Sequence, residues 1–461
     1  MSGRGVAGTR RKAGTRMSVY GIELRRSAAL GAALLTVAVG VGALYAAPGR
    51  WAAGWMTLAM TSREYLLLLW PLALAAGAWQ GRREHRAKVG ELFATTPRSR
   101  LRRILPVVGA MAVTLAVAYL LMTAAGIAWI VTTAAYVPVL NFTVVTAVGA
   151  LSLVAAAWLG LAIGRMLPAL VTAPAVGVAG VLLVFLSAIR LPDWLAAAVS
   201  PVHGAVSFHA FQTIDNRVSG ALAISMIALA VTGLLLFAAD GWRARTAALV
   251  PVLLGLTMAA VVVPRDEEVL NWPVDPVARE LVCTDDAPTV CVSRVHANVL
   301  DALTPLAREG LSALAKLPGA PAAVHEETSR FGSDEVRSLN DGVVRIMIRS
   351  DRRGGLGHPA AVVYETVRGL GVDYDEKCHN RDEAAERAAT YWLLDREPQS
   401  EVEVIPEVFY EDPEVTVEAV RLWHSLRELP DDEALARVTA LRDALLACAD
   451  LTGILSGGGA R

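Results

Sequence analysis

The chain has 461 residues, 54% of them hydrophobic, and a formal net charge of −1. That near-neutrality conceals two opposite halves, since residues 1–264 hold 22 Lys/Arg against 7 Asp/Glu and residues 265–461 hold 21 against 37. A basic apolar half joined to an acidic polar one excludes a single soluble domain, and no nucleic-acid partner is expected. Arg outnumbers Lys 39 to 4 and Ala, Val, Leu and Gly dominate, as in a GC-rich bacterial genome, so a bacterial plasma membrane is the expected location.

About 20 apolar helical residues cross a hydrocarbon core of roughly 30 Å. Seven segments qualify or nearly so: Ser27–Ala47, about Met60–Gln80, Ile104–Val131, Phe142–Gly164, Ala169–Ile189, Gly220–Ala239 and Ala247–Val263. Backbone groups in lipid must be satisfied within their own segment, so these runs predict helices. The first follows a basic tail over 1–26 and ends in ALYAA, as a signal peptide would. Its apolar run exceeds the usual length of such a peptide and more spans follow, so it is read as a retained span.

Between Gly81 and Arg103 stand eight Arg or Lys residues, in GRREHRAKVGELFATTPRSRLRR. A short basic loop between spans stays on the cytoplasmic side. One orientation then follows along the chain. The N-terminus is inside, Pro48–Arg63 is an outside loop, 81–103 is inside and Thr132–Asn141 outside. Arg165 is inside, Arg190–Ser219 outside, Asp240–Arg245 inside, and everything beyond Pro264 outside. Cys283, Cys291, Cys378 and Cys448 all fall in that last region, an even count that suits an oxidising compartment. Cys283 and Cys291 flank TDDAPTV, whose turn formers between β-type runs predict a hairpin closed by a disulfide.

No ionisable residue is expected well inside any span, which argues against an ion channel or a proton-coupled carrier. Small residues are plentiful instead: Gly160 and Gly164 form a GxxxG, Gly177 and Gly180 follow, and Pro71, Pro174 and Pro251 interrupt helices. Close helix packing is the reading. No G-x-x-x-x-G-K-[ST] occurs, so ATP can be bound by a P-loop only in a partner.

The run REHRAKVGELFATTPRSRLRR resembles the cytoplasmic loop between the second and third helices of type-2 ABC exporter permeases, which contacts the ATPase. Glu84, Glu91, Leu92, Thr96, Pro97 and Arg98 stand at the matching positions. An interfacial segment at Val19–Arg26, six spans and the excursion LPDWLAAAVSPVHGAVSFHAFQTIDNRVSG, able to form short external helices, follow the same family order. The resemblance implies a separate P-loop ATPase, no cofactor held by this chain, and a homo- or heterodimer of permeases. A rival reading of the loop, as an arginine-rich anchor on anionic lipid, explains neither its glutamates nor its ATTP turn.

The expected fold is a multi-pass α-helical membrane protein with a C-terminal α+β soluble domain: a basic tail over 1–26, six exporter-like helices over 27–245, a tether helix over 246–264 and an acidic extracytoplasmic domain over 265–461. In that domain Asp275 to about Val295 reads as strands and Gly342–Ile348 as a strand, while Leu300–Leu317, His358–Gly369, Asp382–Glu397, Val415–Leu429 and Asp432–Leu451 read as helices. A strand followed by two helices is faintly similar to a gluzincin metallopeptidase core, where HExxH on one helix and a Glu on the next bind zinc. HPAAVVYE at His358 and HEETSR at His325 both lack the second His, so a degenerate, non-catalytic domain is expected and no metal is assigned. His296, His379 and His424 read as isolated, His203 and His209 as interfacial, and EDPE and PDDE as helix starts rather than Ca²⁺ ligands. The alternative to a permease is a membrane-anchored extracytoplasmic binding or hydrolase-like protein.

Overall fold

The computed structural model describes residues 28–86, 100–204, 210–271, 273–328, 342–372, 382–405 and 408–457. The N-terminal half is a helical bundle of α1 (Ala28–Ala46), α2 (Trp55–Glu64), α3 (Leu66–Gly81), α4 (Arg100–Ile130), α5 (Val139–Met166), α6 (Thr172–Arg190), α7 (Asp193–Val199), α8 (Asn216–Ala238), α9 (Trp242–Ala247) and α10 (Val250–Val262). Five stretches are long and apolar enough to cross a membrane: Ala29–Ala46, Ile104–Ile130, Val139–Met166, Asn216–Ala238 and Trp242–Val262. Leu66–Gly81 and Thr172–Ser187 are apolar but shorter. The predicted interfacial segment Val19–Arg26 lies outside the described residues.

The expected second span is shortened by a break. Pro71 has no N–H to offer the carbonyl of Leu67 and its ring crowds that turn. α3 nevertheless runs through Pro71 unbroken, contrary to expectation; the interruption is at Tyr65, six residues earlier, and separates α2 from α3. Residues 48–63, expected as an outside loop, therefore contain a buried helix that packs on α4 and α5. Arg63 is buried inside it, which corrects the expectation of a bundle free of ionisable side chains. A search for apolar windows ends a span at Ser62-Arg63-Glu64. It cannot see that the fold supplies Arg63 with a partner, the Pro201 carbonyl at 2.8 Å.

The bundle is held by backbone contact at glycines. A Cβ at Gly160 or Gly164 would overlap the carbonyls of Leu74 and Ala78, and one at Gly77 or Gly81 would overlap those of Ala157 and Leu161. α3 and α5 thus interlock through two facing GxxxG stripes. Gly180 faces Pro71 and Leu74 from α6, and Gly233 of α8 sits against the Trp158 and Leu159 backbone of α5.

The C-terminal half is α+β. Its sheet has the order β1 (Leu281–Cys283), β2 (Thr289–Ser293), β3 (Ala323–Glu326), β4 (Val343–Ile346), antiparallel at the first pair and parallel at the other two. β3 was not expected. Helices α11 (Leu300–Leu314), α12 (Pro359–Val367), α13 (Glu383–Leu393), α14 (Pro413–Arg427) and α15 (Asp431–Leu446) complete the domain. Leu303, Ala307, Leu311 and Leu314 recur at helical spacing on α11 and are buried against Val290 and Val324 of the sheet. Each leucine so buried stabilises by about 1.5–3 kcal/mol. Asp412 of EDPE accepts from the Glu414 backbone N–H at 3.0 Å as an N-cap, and Asp431, Asp432 and Glu433 of PDDE fill the first turn of α15. Cys283 and Cys291 are opposite residues of β1 and β2 and are disulfide-bonded. Cys448 is disulfide-bonded as well; Cys378 lies outside the described residues.

The domain sits on one end of the bundle. Trp129 Nε1 donates to the Arg352 carbonyl at 2.9 Å and the Tyr136 hydroxyl to Asp275 Oδ2 at 2.9 Å. The Thr213 N–H reaches the Pro273 carbonyl at 2.9 Å, and Asn271 Nδ2 donates to Asp193 at 3.0 Å. At the other end, Arg82 donates to the Ala169 carbonyl at 3.3 Å and Arg165 pairs with Asp240 at 2.9 Å.

Candidate functional site

Three regions carry the chemistry. The first is the 81–103 loop. Glu84 lies in a single helical turn over Arg83–Arg86 that directly continues α3. Glu91, Leu92, Thr96, Pro97 and Arg98 lie outside the described residues. The loop's mounting is described at its α3 end: α3 is locked to α5 by the interlocking glycines, and Arg82 stacks on the Trp79 ring at 4.7 Å. α4 has 31 residues. At 1.5 Å per residue it sets the loop about 46 Å from the turn that meets the domain.

The second region is the buried polar cluster where the bundle meets its domain-side connections. Arg63, Tyr119 and Ser62 are buried, and Arg63 Nη2, Tyr119 Oη and Ser62 Oγ make no hydrogen bond among the described residues. His203, on the turn after α7, bonds the Leu270 backbone; burial and the Arg63 charge lower its pKa to about 4. His209 lies outside the described residues.

The third region is a cavity of about 340 Å³ in the C-terminal domain, bounded by β4, α12, α13 and Glu401. Four consecutive residues, Val344 to Met347, line it, so it opens along the edge of β4. From α13 come Glu383, Glu386, Arg387 and Thr390, spaced so that all share one helical face. From α12 and its C-cap come Tyr364, Glu365 and Arg368.

Glu365 accepts from Arg349 Nη2 at 2.9 Å through Oε1, while its Oε2 is buried and makes no hydrogen bond among the described residues. Arg387 is 3% exposed, pairs with Glu411 and meets Thr416 Oγ1 at 3.1 Å. Its Nε, like the Thr390 hydroxyl, makes no hydrogen bond among the described residues. Arg368 pairs with Glu401 at 2.8 Å. Burial and the nearby Glu401 carboxylate push the Tyr364 hydroxyl pKa upward, so it stays a neutral donor.

Neither histidine-centred candidate stands in this cavity. His358 is the N-cap of α12 in a left-handed conformation, and His325 is in β3, paired in register with Cys291 and Arg345. His296, expected to be isolated, is instead buried against Glu326, with Nδ1 and Oε1 2.6 Å apart; Glu326 also accepts from the Ser293 N–H at 2.6 Å. Neither partner is near the other in sequence, so only the β2–β3 pairing brings them together.

The cavity residues have a sequence signal that a search centred on histidine passes over. Tyr364-Glu365-Thr366-Val367-Arg368 repeats the spacing of HExxH with Tyr and Arg in place of the two histidines, and Glu386 stands on the following helix. Guanidinium has no lone pair to offer a metal. Among the described residues no three His, Cys, Asp or Glu side chains are grouped as a metal site. No protein-family model matches the chain, and no curated protein or solved structure matches it.

Proposed function

We propose that this chain is the membrane-spanning permease subunit of an ABC-type exporter, moving an amphiphilic or apolar substrate outward. A separate P-loop ATPase drives it, and a second permease half completes the pathway. α1 to α8 supply the six exporter-like spans, α9 and α10 the tether, and the C-terminal half is extracytoplasmic. The chain is a transport subunit and not itself an enzyme, with ATP bound by the partner.

The observation that carries the reading is the mounting of the basic loop. Its α3 end is backbone-locked to α5, and the loop stands at the far end of α4 from the C-terminal domain. A helix that must pass an ATPase's rigid-body motion into a bundle needs a stiff attachment of this kind. A lipid anchor does not. The disulfide-bonded Cys283, Cys291 and Cys448 support an oxidising, extracytoplasmic setting for the domain. The second reading, a membrane-anchored binding protein, is favoured by the cavity between β4 and α13.

Replacing Glu84 and Glu91 with Ala tests the proposal, because neither residue contributes to the positive-inside signal. The double variant is expected to insert normally yet lose most co-purification with the ATPase and most export. Replacing Arg98, Arg100, Arg102 and Arg103 with Gln is expected to disturb topology or lipid contact instead. Undiminished partner binding and export in the double Glu variant would remove the permease reading.

A further inference from the structure

We propose that α9 is a docking surface for the headgroups of anionic phospholipids at the edge of the membrane. The Trp242–Val262 stretch has 21 residues and is apolar enough to cross a bilayer. It rises about 30 Å, the thickness of a hydrocarbon core, so Trp242 stands at the boundary of that core. Val250, Leu253, Leu254 and Met258 of α10 are exposed, as on a helix that faces lipid. Trp242 itself is 71% exposed. Tryptophan collects at the headgroup level because its ring is apolar and its N–H is not. At the far end of the same stretch Arg265 lies over the Trp194 ring at 4.0 Å, so an arginine–tryptophan pair marks each boundary.

Charge selects the headgroup. The connections that gather at the α9 end, residues 81–103, 165–171 and 240–245, hold 11 Arg or Lys against three Asp or Glu. A cationic excess therefore remains even when every acid there is paired. Arg243 and Arg245 carry that excess to the level of Trp242, and both are exposed. The Arg243 guanidinium lies over the indole at 5.5 Å, and Arg245, three residues on from Trp242, shares its face of the helix. A phosphate beside the indole meets both guanidinium groups, whose planar forks suit phosphate oxygens. A zwitterionic headgroup brings its own ammonium into this positive field; an anionic one does not. An acidic protein surface would suit the arginines as well, but only a lipid also suits an exposed indole at the hydrocarbon boundary.

The full chain in a neutral detergent, with bound lipids counted by native mass spectrometry, decides the matter. The probes are dioleoylphosphatidylglycerol, dioleoylphosphatidylcholine and glycerol phosphate. Phosphatidylglycerol should bind about tenfold more tightly than phosphatidylcholine, because each arginine near a membrane surface adds to the attraction. Glycerol phosphate should not displace it, since it lacks the tails that lie along α10. The double variant Arg243→Gln, Arg245→Gln should retain one phosphatidylglycerol fewer per chain than the wild type, and Trp242→Ala should lose the same lipid. Lys at both arginine positions, which keeps the charge, should restore it. All three side chains are exposed, so the lipid-free thermal transition should not move in any variant. Equal affinity for the two lipids, displacement by glycerol phosphate, or an unchanged phosphatidylglycerol count in the Gln and Ala variants would each overturn the proposal. A Gln variant that keeps its lipid but loses a co-purifying ATPase would assign α9 to that partner instead. Lipid binding here needs no ATPase, so its failure would leave the permease reading where it stands.

Discussion

His203 ties the bundle and its domain-side connections to pH. Its neighbours are the Arg63 charge, Asp193 and the Leu270 backbone, and burial with Arg63 outweighs the other two, lowering its pKa from 6.5 to about 4. The folded state therefore binds this proton less readily than the unfolded chain does. Stability from this residue is complete above about pH 6.5 and is lost as pH falls toward 4. Melting temperatures between pH 7.5 and 4.5 should fall more steeply for the wild type than for His203→Gln, which cannot be protonated. Parallel curves would show that His203 is not the group responsible. None of this was legible in the sequence, where His203 read as an interfacial residue and Arg63 as the end of a loop. The two lie 140 positions apart, and only the packing of the turn after α7 onto α2 brings them together. Glu326 and His296 illustrate the same limit at shorter range.

Elements with a strong local period were legible, and those defined by their neighbours were not. All seven apolar runs became helices, and α11, α13, α14 and α15 appeared near the residues their spacing predicted, because helical periodicity is written in adjacent turns. β3 spans four residues, too few to show a period, and exists because β2 and β4 flank it. The break at Tyr65 shows the same dependence, since Pro71, the residue expected to interrupt the helix, lies inside α3 and the break falls six residues before it. Gly160 and Gly164 were legible as a close-packing stripe, yet their counterpart at Gly77 and Gly81 was recognisable only once α3 and α5 faced each other. That interlock gives a sharp expectation. A methyl group at Gly160 or Gly77 meets a backbone carbonyl, which cannot rotate away. Such overpacking typically costs about 1–3 kcal/mol. Gly160→Ala and Gly77→Ala should lower the melting temperature in detergent and reduce the yield of folded protein. Gly220→Ala, with open space around its Cβ, should do neither. Equal stability in all three would mean that α3 and α5 do not touch as described.

At the scale of the whole molecule the two ends of the bundle are the organising fact. The connections before α2, after α4, around α7 and after α10 all meet the C-terminal domain or one another. The α3–α4, α5–α6 and α8–α9 connections gather at the opposite end, tied by Arg82 to Ala169 and by Arg165 to Asp240. Six successive chain reversals with one domain at one end leave open which of the two ends faces the exterior. Loop charge, read from the sequence, predicts that the arginine-rich end is inside. An experiment at one pair of positions therefore decides every loop. Thr132, on the turn after α4, and Thr246, on α9, are both exposed and lie at opposite ends. With cysteine introduced at each in turn, a membrane-impermeant maleimide added to intact cells should label Thr132→Cys and spare Thr246→Cys until the membrane is opened. The reverse pattern would put the disulfide-bonded domain in a reducing compartment and the 81–103 loop outside. No cytoplasmic ATPase could then reach that loop, and the permease reading would fail with the topology.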